Sequence, residues 1–144
     1  MVNVRNLQKK DAGRVALLIP QLTKNIIEPD NLIKRIEKLA NQKNSQFLVA
    51  ELQNKVVGFG GLVWYVIPSK GLIGWAEELV VDGQYRRQGI GRALMERLLV
   101  LAQQKKVTVV KLTSTPTAKS LYETLGFTKK DQDYLVKSLT FFNR

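Results

Sequence analysis

The 144-residue chain contains no cysteine and no histidine. These absences exclude a disulfide framework, a thiol nucleophile, a metal site built from cysteine or histidine, and a Ser-His-Asp triad. An enzyme of this composition must work with carboxylates, hydroxyls, tyrosine, lysine, arginine and the backbone. That set favours direct transfer between two bound substrates over a covalent enzyme intermediate, and we expect no metal.

Long hydrophobic runs are also missing. No run approaches the roughly 18–20 apolar residues of a membrane span, and MVNVRNLQKKDAGRV contains no stretch typical of a signal peptide. There is no low-complexity tract, internal repeat or linker rich in Pro, Gly and Ser. With 44% hydrophobic and 24% charged residues, the sequence predicts one cytoplasmic domain over residues 1–144 that has no membrane partner.

Negative charge is scarce. Lysine and arginine number 23 against 12 acidic residues, for a net charge of +11. The excess is concentrated between Arg86 and Lys119, where Glu96 is the only acidic residue. Such a segment indicates an anionic partner, which could be nucleic acid, an acidic small molecule or a cofactor. A basic stripe interleaved with aromatic residues is absent, so we expect no nucleic-acid partner.

The pattern of the first half predicts a strand, two helices and two further strands. VNVRNL alternates as a strand does, and DAGRVALLIPQL reads as a helix with Asp11 as its cap. A second helix is predicted in EPDNLIKRIEKLANQ. QFLVAEL and VVGFGGLVWYVI are predicted as strands joined by a turn at Gln53 to Lys55, and IPSKGLIG as a loop.

In the second half, WAEELVV predicts a third consecutive strand, and DGQYRRQ connects it to a helix from Ile90 to Gln104. VTVVKLT predicts a buried strand. STPTAKSLYETLGF predicts a short helix with Thr115 as N-cap, Pro116 at its first position and Gly126 just past its end. TKKDQDYLVKSLTFF predicts a final strand or hairpin. A sheet with helices on its faces follows.

The segment YRRQGIGRAL lies where a strand gives way to a helix. The first N–H groups of a helix lack intrahelical partners, and glycines at 89 and 91 let an anion approach them closely. Arg86, Arg87 and Arg92 add charge-assisted hydrogen bonds. The segment therefore predicts a cradle for a diphosphate.

Three known cradles do not fit. A P-loop requires GxxxxGK followed by Ser or Thr, which does not occur. A dinucleotide fingerprint requires Gly or Ala where this chain has Leu94, and an acidic residue near the position of Lys111. The chain has neither the length nor the motifs of a protein kinase.

Arg86-x-x-Gly89-x-Gly91 resembles the acetyl-CoA pyrophosphate motif of the GNAT superfamily of N-acetyltransferases. About 30 residues on, TAKSLYETLGF resembles the second signature of that family. The resemblance implies an α/β fold with a mixed, mostly antiparallel sheet that is flanked by helices and splays between its central strands WAEELVV and VTVVKLT. It also implies acetyl-CoA as the acetyl donor.

The resemblance assigns cofactor contacts to three segments. The strand before the loop would pair with the pantetheine arm through the backbone of Leu79, Val80 and Val81. The pyrophosphate would be held by Arg87, Gln88, Gly89, Ile90, Gly91 and Arg92. Thr115 stands where relatives often have Asn; it offers a hydroxyl but not both amide bonds.

Two residues are candidates for the chemistry. By the resemblance, Tyr122 is the general acid for the departing thiolate, since a phenol with a pKa of ~10 is protonated at neutral pH; the alternative is a core tyrosine. Glu77 matches the family's base, and desolvation would raise its pKa. The alternatives for Glu77 are a solvated face or a salt bridge, and alternation leaves open whether Glu77 or Glu78 faces the cleft.

The expected function is transfer of an acetyl group to a primary amine, preferably of a small molecule. The loop LTKNIIEPDN and the segment VWYVIPSKGLIG would form the acceptor site, with either Trp64 or Tyr65 lining it. The rivals are a protein or peptide acetyltransferase, a CoA-binding module without catalysis, and a basic nucleic-acid binder. A homodimer is left open, as is a role for the tail FFNR at an edge strand or a subunit contact.

Overall fold

A computed structural model describes residues 1–140 of the chain, so FFNR and its two expected roles lie outside the described residues. The chain forms two compact units, Met1–Thr113 and Ser114–Arg144. The single domain and the cytoplasmic location both remain predictions. Among residues 1–140, no helix is long and apolar enough to cross a membrane.

The first unit is built on a five-stranded sheet of order β1-β2-β3-β4-β5, in which β4 and β5 are parallel and the other pairs antiparallel. The predicted mixed, mostly antiparallel α/β fold is thus confirmed. The elements of this unit are β1 (Asn3–Asn6), α1 (Ala12–Leu18), α2 (Pro29–Leu39), β2 (Ser45–Leu52), β3 (Lys55–Ile67), β4 (Gly71–Val81), α3 (Ile90–Gln104) and β5 (Val109–Lys111).

The helices α1 and α2 pack against one face of the sheet in a core that includes Phe47, Phe59 and Val80. Glu28 caps α2 by accepting hydrogen bonds from the first-turn amides. Asp11 takes the predicted N-cap position of α1 but makes no capping hydrogen bond; its carboxylate accepts from the Arg5 guanidinium at 2.9 Å and from the Gln8 amide at 2.8 Å instead. A partly buried ion pair has taken the place of the cap.

The predicted bounds of α3 are confirmed at both ends. Its apolar stripe is buried, because these side chains recur at helical spacing and face the sheet. Beside Gly58 of β3, the methyl groups of Leu94 and Ile90 lie 3.0 and 3.1 Å from the place a Cβ would occupy. Gly58 therefore lets the N-terminal turns of α3 pack closely on the sheet.

Two tight turns order the central hairpins. Gln53 and Asn54 both have positive φ, 51° and 63°, which is the geometry of a type I′ turn and confirms the turn between β2 and β3. The predicted loop over residues 67–74 is wrong beyond residue 70, because β4 begins at Gly71 and pairs at once with Ile67. Cross-strand pairing has extended β4 toward the turn.

The sheet opens between β4 and β5. Their ladder contains three pairs, Ile73 with Val109, Gly74 with Val110 and Trp75 with Lys111. Residues 76–81 of β4 continue past the ladder, so within residues 1–140 their β5 side is not paired. The strand predicted in VTVVKLT is confirmed for Val109–Lys111, but its predicted burial is wrong, because Val109 is 46% exposed and β5 forms the sheet edge of the described part.

The second unit contains the helix α4 (Lys119–Thr124). The predicted start at Pro116 is wrong, because residues 116–118 form a turn in which the Ala118 amide bonds to the Thr115 carbonyl at 3.1 Å. Thr115 does not cap the helix; its hydroxyl lies 3.2 Å from that of Thr117.

The final strand predicted from TKKDQDYLVKSLTFF is absent from residues 128–140, which form neither helix nor strand. The first part of this segment is rich in Lys, Asp and Gln, which disfavour strands. The apolar residues that follow are not buried; Tyr134, Leu135 and Val136 are 75%, 93% and 77% exposed. No burial therefore compensates the entropy of ordering this segment as a strand.

Candidate functional site

A β-bulge shapes β4 where the two glutamates lie. Phe59 is opposite Val80 and Gly61 is opposite Glu77, so β4 fits one more residue than β3 into the same interval. Glu78 takes up the extra residue with φ of +59°, an unusual backbone conformation for a side-chain-bearing residue. The bulge resets the alternation, so Glu77 lies on the same sheet face as Val80.

On that face, Glu77 lines a shallow, open depression of about 420 Å³ together with Val63, Tyr65 and Trp75. The Trp75 indole donates a hydrogen bond to the Tyr65 hydroxyl at 3.0 Å, which fixes both rings. Trp64 points to the other face, where the Lys105 ammonium lies 5.3 Å from its ring centre. Tyr65 is therefore the member of this aromatic pair that lines the depression.

The depression distinguishes the two glutamates. Both are exposed, but only Glu77 lines it. Glu77 is exposed by surface area, but partial desolvation of its carboxyl and, to a lesser degree, the neighbouring charge of Glu78 raise its pKa above its usual value. A carboxylate with a raised pKa is a better proton acceptor, which suits a base.

The glycine loop between β4 and α3 has the backbone of an anion site. Arg87 and Gly89 both have positive φ, 64° and 78°. Ala93 donates to the Gly89 carbonyl at 3.0 Å, which leaves the Ile90 and Gly91 amides in the first turn at the open end of α3. A Cβ at Gly89 would meet nothing within 4 Å, so a phosphate has room to approach.

The arginines of this loop are not equivalent. Arg92 pairs with Glu96 at 3.1 Å, as the i,i+4 spacing predicts. Arg86 donates from Nε to the Val81 carbonyl at 3.3 Å, which ties the loop back to β4. The side chains of Arg87 and Gln88 are exposed. The loop thus brings together the predicted residues 87–92 at one helix end.

The backbone of β4 turns alternate residues toward opposite edges. Because the Asp82 amide bonds to the Val57 carbonyl at 2.8 Å and Val80 is opposite Phe59, the polar backbone groups of Val80 face β3. Those of Val81 face the open edge, where Arg86 reaches its carbonyl. Of the three residues expected to contact pantetheine, Val81 is the one whose polar backbone groups face the open edge of the sheet. Leu79 lies next to the bulge residue Glu78.

Asp82, which the sequence analysis missed, anchors the loop. Its carboxylate accepts from Arg14 of α1 at 2.7 Å and from the Gln84 amide at 3.2 Å, while Gln21 accepts from the Gly83 amide at 2.8 Å. The hydrogen bond from Gln84, helped by Arg14, lowers the pKa of Asp82 below its usual value. The signal was the Asp-Gly pair after a strand, which is typical of a turn.

We expect Asp82→Asn to destabilise the protein by about 1.5–3 kcal/mol at pH 7, because a charge-assisted hydrogen bond to Arg14 is lost. The folded-state pKa of Asp82 is depressed, so its contribution is fully present above the unfolded value of ~3.9 and declines as pH falls through the folded value. The stability difference between wild type and variant, followed by urea unfolding, should shrink below pH ~4. Asp133→Asn, at an exposed aspartate, should show no such difference; a gap that is constant with pH would contradict the linkage.

Tyr122 lies in α4, whose end is held by a Schellman motif. The Phe127 amide bonds to the Tyr122 carbonyl at 3.1 Å and the Gly126 amide to the Glu123 carbonyl at 3.1 Å, with Gly126 at φ +93°. The rings of Tyr122 and Phe127 meet edge to face at 5.9 Å. Burial raises the pKa of Tyr122 above its usual value, so its phenol stays protonated. The predicted glycine position is confirmed, and the Gly-Phe pair orients the tyrosine.

The opened strand edge and the glycine loop at a helix N-terminus define an α/β protein suited to a phosphate-bearing ligand. Residues 43–129 match the family model described as an acetyltransferase (GNAT) domain. The chain therefore belongs to the GNAT acetyltransferase family, as its two motifs predicted.

Sequence relatives and solved structures agree with this family. Human N-acetyltransferase 8 is 35% identical over 100 residues, which are 65% of this chain and 43% of that protein. Glucosamine 6-phosphate N-acetyltransferase 1 of Dictyostelium discoideum is 25% identical over 117 residues, 78% of this chain and 74% of that protein. A Clostridium acetobutylicum structure, described as a predicted acetyltransferase with acetyl-CoA, aligns with a TM-score of 0.80 and 17% identity over 95% of this chain and 96% of that one.

Proposed function

We propose that the protein transfers an acetyl group from acetyl-CoA directly to the primary amine of a small molecule. The single observation that carries this proposal is the junction of an unpaired β4 edge with the glycine loop of α3. The β4 edge offers backbone hydrogen bonds to an extended arm, and the glycine loop offers amides and arginines to a diphosphate. Acetyl-CoA has both an extended pantetheine arm and a diphosphate.

The matched part of the chain covers less than half of the human relative named above.

Donor binding follows from the loop backbone. The Ile90 and Gly91 amides and the positive end of α3 attract the pyrophosphate oxygens, and the exposed side chain of Arg87 supplies charge. The polar edge of Val81 fits the amide groups of the pantetheine arm. Gln88 of the loop and Arg92 of the first turn of α3 are proposed to contact the same pyrophosphate. Thr115 is proposed to contact the cofactor through its hydroxyl.

The chemistry requires a base and an acid. Glu77 accepts the proton of the acceptor ammonium, through a water molecule, and the amine nitrogen then forms a bond to the thioester carbonyl carbon. As the carbon–sulfur bond breaks, Tyr122 gives its phenolic proton to the thiolate. The nitrogen loses its second proton to solvent as the amide forms, and solvent reprotonates the Tyr122 phenolate. The raised pKa values of both residues suit these tasks, because one holds a proton more readily and the other stays protonated.

The acceptor is proposed to occupy the depression of Val63, Tyr65, Trp75 and Glu77. Its volume of about 420 Å³ is in the range of small-molecule sites, and its aromatic wall suits a compact ligand. The Dictyostelium relative is named for a phosphorylated amino sugar, which is a molecule of that size class.

Saturating acetyl-CoA should raise the melting temperature by on the order of 5–10 °C, since ligand at 100 times its dissociation constant stabilises the fold by about 2.7 kcal/mol. Differential scanning fluorimetry measures the shift. An unchanged melting temperature would reject the proposal and leave the basic binder, for which a salt-dependent gel shift is the matching assay.

A matched glycine pair localises donor binding. Gly89→Ala forces a side chain into the φ of +78° at the loop, whereas Gly13→Ala lies in α1, where a Cβ also meets nothing within 4 Å. The first variant should lose most of the acetyl-CoA shift and the second should keep it. Thiol release with amines, amino acids and peptides then separates a small-molecule enzyme from a peptide acetyltransferase, and from a CoA-binding module that releases none.

A further inference from the structure

Lys111 lies beside Trp75, one of the residues that line the depression, and Lys70 lies close to Lys111. Lys111 of β5 is paired with Trp75 of β4, and its ammonium lies 5.7 Å from the centre of the Trp75 ring. Lys70 lies in the turn before β4, and its ammonium is close enough to that of Lys111 to affect its charge. The close approach of the like-charged Lys70, together with some desolvation, lowers the pKa of Lys111 below its usual value.

Both lysines are held by ordered backbone. The Lys70 amide bonds to the Ile67 carbonyl at 2.9 Å within the tight turn. The start of β5 is fixed by the Thr108 amide and hydroxyl, which both donate to the Leu72 carbonyl, at 3.0 and 3.1 Å. The two side chains therefore start from anchored backbone, Lys70 in the turn before β4 and Lys111 on β5.

Like charges this close repel each other unless an anion lies between them. Within residues 1–140, no carboxylate forms an ion pair with Lys70 or Lys111. The Trp75 ring, fixed by its hydrogen bond to Tyr65, provides a flat apolar floor beneath Lys111. The pair has the charge and the setting of an anion subsite.

The depression itself carries the opposite charge, on Glu77. Glu77 follows Trp75 by two residues on the same face, while Lys111 lies one strand across from Trp75. Strand geometry therefore separates Glu77 and Lys111 by about 8 Å between Cα positions. A carboxylate in the depression and two ammonium groups beside it match a ligand that has a cation and an anion a few bonds apart.

We propose that Lys70 and Lys111, above Trp75, bind an anionic group of the acceptor, so that the substrate is a small primary amine bearing a phosphate or a carboxylate. This inference rests on the proposed function, because it assigns the acceptor class of the same depression. The amine is directed to Glu77 and the anion to the lysine pair. A phosphate and a carboxylate share this chemistry, and the assay distinguishes them.

The test compares matched amines with saturating acetyl-CoA: phosphoethanolamine with ethanolamine, glucosamine 6-phosphate with glucosamine, and glycine with glycinamide. In at least one pair the wild type should prefer the anionic member. The double variant Lys70→Gln/Lys111→Gln should raise KM for that amine by about 10-fold to 100-fold, because charge-assisted hydrogen bonds to its anionic group are lost. The KM for the matched neutral amine should not change. The double variant Lys70→Arg/Lys111→Arg should restore much of the preference, and Lys34→Gln, at an exposed lysine of α2, should have no effect.

A preference for neutral amines, or a preference that survives in the glutamine variant, would overturn the inference and leave acetyl transfer intact. If no amine is acetylated, the proposed function fails, and a direct measurement still decides the inference. The chain has two tryptophans, so Trp64→Phe leaves Trp75 as the only tryptophan, whose emission can be excited selectively. Inorganic phosphate, added with saturating coenzyme A, should change the Trp75 fluorescence of the Trp64→Phe protein. The same protein with Lys70→Gln and Lys111→Gln should show no change, and an equal response of the two proteins rejects the subsite.

Discussion

Tyr122→Phe is expected to lower turnover by roughly 10²-fold or more while acetyl-CoA binding stays nearly unchanged. The phenolic hydroxyl is the proposed acid, and loss of a positioned acid typically costs 10²–10⁴-fold. The phenylalanine ring retains the edge contact with Phe127, so the end of α4 should remain intact. Steady-state thiol release measures turnover, and the acetyl-CoA melting shift measures binding.

The matched control is Tyr134→Phe, which removes the hydroxyl of a tyrosine that is 75% exposed in the same unit. It should leave turnover and melting temperature at their wild-type values. Because burial raises the pKa of Tyr122 above ~10, the wild type should show no alkaline loss from this group below pH ~10. Equal losses of turnover and donor binding in Tyr122→Phe would make Tyr122 a core tyrosine instead.

Glu77→Gln should lower kcat/KM at neutral pH by roughly 10²-fold, because the amide accepts no proton from the acceptor ammonium. The raised pKa of Glu77 sets the acidic limb of the wild-type profile: activity falls as pH drops through that value, where the carboxylate becomes protonated. In the variant this limb should disappear. Activity should recover partly at high pH, where the acceptor amine is already neutral.

Glu78→Gln is the neighbouring control. Glu78 does not line the depression, but its charge contributes to the raised pKa of Glu77. We therefore expect near-normal activity with the acidic limb moved to lower pH. A reversed result, in which Glu78→Gln abolishes turnover and Glu77→Gln does not, would move the base to Glu78. A loss in Glu77→Gln that does not vary with pH would remove the base role altogether.

Local features of the sequence were sufficient for several elements. The apolar stripe of α3 and the glycine before it predicted both of its ends, because helical spacing and the N-cap Gly89 are features of one continuous segment. Gly126 and the turn at Gln53 and Asn54 were equally local, since positive φ restricts which residues fit. The glycine loop and LYETLGF likewise indicate the family from the sequence alone.

Features that depend on pairing between strands could not be predicted from the sequence. The extension of β4 to Gly71, the short β5 and the missing strand over residues 128–140 all depend on whether a partner strand is present. Pairing of distant residues decides strand length, and neighbouring side chains do not reveal it. The same reason applies to Asp82, whose main partner, Arg14, lies in α1.

The sequence by itself determined the chemical repertoire and the donor motif: no cysteine or histidine, a basic segment, and two glycines at the start of a helix. Only the tertiary structure decided which side chains share a surface. The bulge at Glu78 shifts the alternation of β4, so Glu77 joins Tyr65 and Trp75 on one face. The β4–β5 ladder places Lys111 beside Trp75, because register between strands is set by pairing across the sheet.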